Sequence, residues 1–97
     1  MAIETTKWDS ADFLDTPEAV AAYLEAAFED GDPQVIAHAL GVVARARGMT
    51  AVAKEAGVTR EALYKALSME GDPRLSTLLG VMKALGVQLT AKPPEAA

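Results

Sequence analysis

The chain has 97 residues, 51% hydrophobic and 24% charged, with no cysteine and one histidine, His38. This reads as one small soluble domain with a thin core, which excludes a multidomain enzyme, a disulfide framework, a thiolate nucleophile and a sulfur- or multi-histidine-ligated metal site. The net charge of −5 is unevenly spread: residues 1–40 hold nine acids against Lys7, and residues 41–97 hold eight bases against five acids. The two halves are therefore expected to meet different partners, and the basic half is hidden by the overall acidity.

Residues 1–15 form an N-terminal arm in which Trp8, Phe13 and Leu14 supply apolar anchors among acids. They fit either packing on the body of the domain or docking of a protein partner, with core packing the expected role for at least one of them. With no basic region or apolar run at the N-terminus and only short, broken apolar stretches elsewhere, secretion and membrane spanning are disfavoured and the expected compartment is the cytoplasm.

The domain proper is expected over 16–91, with 92–97 as a flexible tail. Thr16-Pro17, Asp32-Pro33 and Asp72-Pro73 each read as a helix start, because the first side chain accepts an orphan N–H and proline gives up only an N–H that had no partner. Gly31, Gly48, Gly57 and Gly86 read as stops. Between them apolar residues recur at helical spacing: Val20, Tyr23, Leu24, Ala27 and Phe28 in a helix over 17–30 whose opposite face is acidic, and Ile36, Ala39, Leu40, Val43 and Ala44 in one over 33–47. Shorter helices follow over 50–56, capped by Thr50, and 60–67, capped by Thr59, and Leu75, Leu78, Leu79, Met82 and Leu85 stripe a last one over 73–85. Val87 to Ala91 alternates at period two and predicts a short strand. One strand cannot satisfy its own ladder, so Val87 and Leu89 are expected at a homodimer contact; the alternative is a strand tucked against its own chain.

The helices over 50–56 and 60–67, joined through Gly57-Val58-Thr59, have helix-turn-helix spacing. Ala53 is small where the helices cross, Val58 plugs the angle, and residues 62, 63, 66 and 67 are expected to face the core. That leaves Thr59, Arg60, Glu61, Tyr64 and Lys65 outward, where they could enter a DNA groove. Arg60 suits guanine and Lys65 phosphate or guanine; Glu61 suits cytosine N4 or an i,i+4 pair with Lys65; Tyr64 suits a sugar, a thymine methyl or a packing role. Thr50 and Thr59 suit phosphate or simple capping, and Lys54, with Arg74 and Ser76, backbone contacts. No nucleotide-binding loop, calcium loop or nucleophile–base set is present, so no enzyme, cofactor or metal is expected.

The segments Tyr23-Leu24-Glu25-Ala26-Ala27, Ala44-Arg45-Ala46-Arg47-Gly48-Met49, the run from Ala53 to Leu67 and Gly71-Asp72-Pro73 together resemble the addiction-module antidote family of helix-turn-helix antitoxins, within the Cro/repressor superfamily. The resemblance runs from about Trp8 to Leu89. With the five helices and the strand that the spacing predicts, the expected fold is an all-α, five-helix Cro/repressor-like helix-turn-helix domain with a short C-terminal strand. The resemblance also implies an antitoxin that silences a small basic toxin of the RelE/ParE-like class and represses their shared operon. Met69-Glu70 departs from the pattern by placing an acid near the presumed DNA. A stand-alone helix-turn-helix regulator and an interaction module without DNA binding are the alternatives.

Overall fold

The computed structural model describes residues 14–94 and is all-helical over that span: α1 (Pro17–Asp30), α2 (Pro33–Arg47), α3 (Met49–Ala56), α4 (Arg60–Ala66) and α5 (Leu75–Ala84). Two starts form as the sequence predicts. Ala19 N–H donates to Thr16 Oγ1 at 3.1 Å and Gln34 N–H to Asp32 Oδ1 at 2.9 Å, each with proline next in the chain.

Two starts differ. Thr50 does not cap α3; Gly48 does, and Thr50 is the second residue of the helix. Gly48 stands at φ +111°, accessible to glycine, and serves both neighbours: its N–H donates to Ala44 O at 2.8 Å and its carbonyl accepts from Val52 N–H at 3.1 Å. The chain thus turns 113° between α2 and α3 at a single residue, leaving no room for a separate cap. Asp72-Pro73 likewise begins no helix. Gly71 sits so tightly against the backbone of Ala66 that any side chain there would overlap it, and the chain stays non-helical until Arg74, the cap of α5.

Burial of one stripe per helix holds these elements together. Val20 and Leu24 of α1, Leu40 and Val43 of α2, Val52 of α3, Leu63 of α4 and Val81 of α5 are each at most 2% exposed and, with Leu85 after α5, form the centre of one cluster. Leu14, 4% exposed, joins it, the core role expected for at least one of the three arm residues. α3 packs mainly on α5 and α1 on α2. The α3–α5 contact depends on Gly80, because a Cβ there would stand 2.9 Å from Ala56 Cα. Arg47 Nη2 donates to Leu85 O at 3.3 Å, which ties the end of α2 to the end of α5.

The strand expected over 87–91 is not formed: the described residues contain none. Val87 N–H instead donates to Met82 O at 3.0 Å and Gly86 N–H to Lys83 O at 3.1 Å, closing α5, and the chain then runs beside α1 as far as Pro94. Its alternation reflects half-burial of Val87 on the core, with Leu89 39% exposed. No single described helix is long and apolar enough to cross a membrane.

Candidate nucleic-acid interface

The turn between α3 and α4 is fixed by main-chain geometry. Gly57 takes φ +77°, Gly57 N–H donates to Lys54 O at 3.2 Å and Val58 N–H to Ala53 O at 3.0 Å. This paired closure satisfies the Ala53 and Lys54 carbonyls of α3 and ends the helix. Ala53, 3% exposed, lets the helices approach, and half-buried Val58 packs on the core beside it. Thr59 then starts α4 by accepting Ala62 N–H at 3.0 Å.

α4 is a seven-residue helix anchored by Leu63, 0% exposed, with Leu67 (2%) just beyond its end. At about 100° per residue this places 61 and 65 opposite the core, with 60 and 64 together on one flank. Thr59, Arg60, Glu61, Tyr64 and Lys65 are all exposed. So is Ala62, which corrects its expected place toward the core: it lies about 100° from Leu63, on the other flank. Ala66 is half-buried.

Within this face the structure brings Arg60 and Tyr64 together. The guanidinium carbon lies 5.4 Å from the ring centroid and Nη2 is 3.4 Å from the phenolic oxygen. The pairing follows from i,i+4 spacing, a signal already in the sequence, although the sequence reading treats the two residues separately. Glu61 and Lys65, at the same spacing, form no ion pair with each other or with any other described residue. Thr50 and Lys54 are exposed one turn apart on α3, with exposed Glu55 beside Lys54, and no hydrogen bond or ion pair links them to α4 among the described residues. Arg74 and Ser76 are exposed at the start of α5, and Met69 and Glu70 are exposed in the loop before it.

Trp8 and Phe13 lie outside the described residues. Among the described residues no three His, Cys, Asp or Glu side chains are grouped to hold a metal ion, and no buried side-chain polar atom lacks a hydrogen bond. The α3–α4 face thus exposes Thr50, Lys54, Glu55, Thr59, Arg60, Glu61, Tyr64 and Lys65 on a scaffold anchored by Leu63.

A family model described as "Probable addiction module antidote protein" matches residues 4–93. The chain belongs to that antidote family. The match takes in all five helices, the α3–α4 turn and nearly all of the segment after α5. A relative in Haemophilus influenzae, described only as an uncharacterized protein, is 41% identical over 88 residues, covering 91% of this chain and 91% of its own length. No solved structure matches the antidote chain.

Proposed function

We propose that the protein is a DNA-binding antitoxin of a type II toxin–antitoxin module, which neutralises a small basic toxin of the RelE/ParE-like class and represses the operon encoding both. Membership of the antidote family supports the antitoxin role. The DNA-binding role rests on one observation above all: Thr59, Arg60, Glu61, Tyr64 and Lys65 are all exposed on a helix whose inner side is pinned by Leu63. In this reading α3 and α4 are a helix-turn-helix of the Cro/repressor kind, and α4 enters the major groove. Arg60 donates a bidentate pair to guanine, Lys65 reaches phosphate or guanine, and Thr50, Thr59 and Lys54 position the backbone.

One such unit reads about half a site, so the operator-bound form is a homodimer with its two α4 helices about 34 to 36 Å apart. Val87 to Ala91 is the dimer segment in this reading, gaining as an intermolecular strand the ladder it lacks within the chain. The acidic half, with the arm around Trp8 and Phe13, faces the toxin, for charge complementarity speeds and directs such encounters. Both actions take place in the cytoplasm and are binding events without a catalytic step or cofactor.

Recovery of the protein from its native cell, with bound partners identified by mass, tests the toxin arm, and a gel shift with DNA from upstream of its own gene tests the DNA arm. A toxin partner without a DNA shift would leave an interaction module, and a shift without a toxin would leave a stand-alone regulator.

A further inference from the structure

α1 and residues 87–94 flank a groove of about 840 Å³. Its floor is apolar, with Leu24 and Met82 buried and Phe28 and Val87 half-buried, and Leu89 stands exposed on its wall. Its rim on the α1 side carries Glu25 and Glu29. The segment is tied to α1 near its far end, where Lys92 Nζ reaches Glu25 Oε2 at 3.5 Å, and at its start Val87 N–H donates to Met82 O at 3.0 Å.

α1 bears Glu18, Glu25, Glu29 and Asp30 and no basic residue. The Lys92–Glu25 pair, about 60% exposed on both sides, contributes little to stability, so an incoming cation can take its place at small cost. We infer that this groove is the docking site for a basic amphipathic segment of a partner protein, with a lysine or arginine of that segment reaching Glu25 and Glu29 and an apolar side chain entering between Phe28 and Leu89.

The charge selects this occupant. DNA is repelled by the rim, and a second copy seated here about a two-fold axis would bring two acidic α1 helices face to face. Dimerisation through 87–91 would rest on main-chain hydrogen bonds along the segment, whereas occupation of the groove rests on side chains, chiefly Glu25, Phe28 and Glu29 of α1. The inference deepens the antitoxin reading and rests on it for the partner's identity, which is the toxin.

The test measures binding of the full-length chain to the small basic protein encoded beside its gene. Three forms are compared: wild type, Glu25→Lys/Glu29→Lys, and Glu18→Lys, which makes the same kind of charge change on α1 outside the groove. All three substituted positions are exposed, and unchanged circular dichroism and melting verify the fold. The expected result is a Kd raised at least about tenfold by the double reversal and hardly at all by Glu18→Lys. Phe28→Ala, read in the same assay, weakens binding chiefly by faster dissociation. Wild-type affinity in the double variant overturns the groove while leaving the antitoxin reading intact. Altered self-association with unchanged partner binding also overturns it, in favour of a second copy. No complex with the wild type overturns both.

Discussion

The Arg60 guanidinium lies over the Tyr64 ring, 5.4 Å from its centroid, on the exposed flank of α4. A long side chain that would otherwise sample many rotamers is thereby held in one region before any partner arrives, which lowers the ordering cost of recognition. Arg60→Ala is expected to cost about 1 to 3 kcal/mol in operator binding and to relax preference at one base position. Tyr64→Ala, which leaves the cation unsupported, is expected to cost about 0.5 to 1 kcal/mol, with Tyr64→Phe retaining most of the stacking. Fluorescence anisotropy titrations of the three variants check this order; a Tyr64→Ala variant indistinguishable from wild type would show that the pairing has no part in binding.

Lys65 and Lys54 are exposed, and if they sit on phosphates each contributes through counterion release. Lys65→Ala and Lys54→Ala should each reduce the slope of log K against log salt by about one unit while weakening all sequences alike. A change in base preference with an unaltered slope would move Lys65 from the backbone to a base edge.

The scaffold behind this face is sensitive at α3–α5. Gly80→Ala places a methyl 2.9 Å from Ala56 Cα, a backbone atom that cannot swing away, and is expected to destabilise by about 1 to 3 kcal/mol. Leu63→Ala, at a fully buried position, is expected to lose about 2 to 5 kcal/mol. Thermal melts measure both losses, and a Gly80→Ala variant with the wild-type Tm would contradict the close packing of the two helices.

The parts of this architecture fixed by short-range chemistry are legible in the sequence. Thr16-Pro17 and Asp32-Pro33 mark true starts because the cap and the proline act within one turn, and Gly57 marks the turn because its closure is made of neighbouring peptide groups. Asp72-Pro73 carries the same local signal and fails, since Gly71 is committed to the end of α4. Thr50 fails as a cap for a similar reason, Gly48 having taken both roles. The alternation after Gly86 predicts a strand that does not form: only Val87 of its apolar positions is half-buried on the core, while Leu89 and Ala91 are exposed. The groove was not legible at all. Its two walls, within residues 21–29 and 87–94, come from opposite ends of the described chain, and no pattern within either reveals that they meet.

If Val87 to Ala91 closes the dimer, Leu89→Pro removes a ladder donor and an apolar contact together and should yield monomers with much weakened operator binding. Sedimentation at several concentrations reads this directly. A wild type that is already monomeric at high micromolar concentration, yet binds its operator tightly, would rule out the dimer.

The central claim, that the exposed face of α4 reads DNA, is tested most directly by anisotropy titration of the protein into labelled DNA from upstream of its gene and into unrelated DNA of equal length, at matched salt. Binding is expected to be tighter to the upstream DNA by at least about a thousandfold, with Arg60→Ala narrowing that ratio. Equal affinity for the two DNAs, or a ratio untouched by Arg60→Ala and Lys65→Ala, would contradict it.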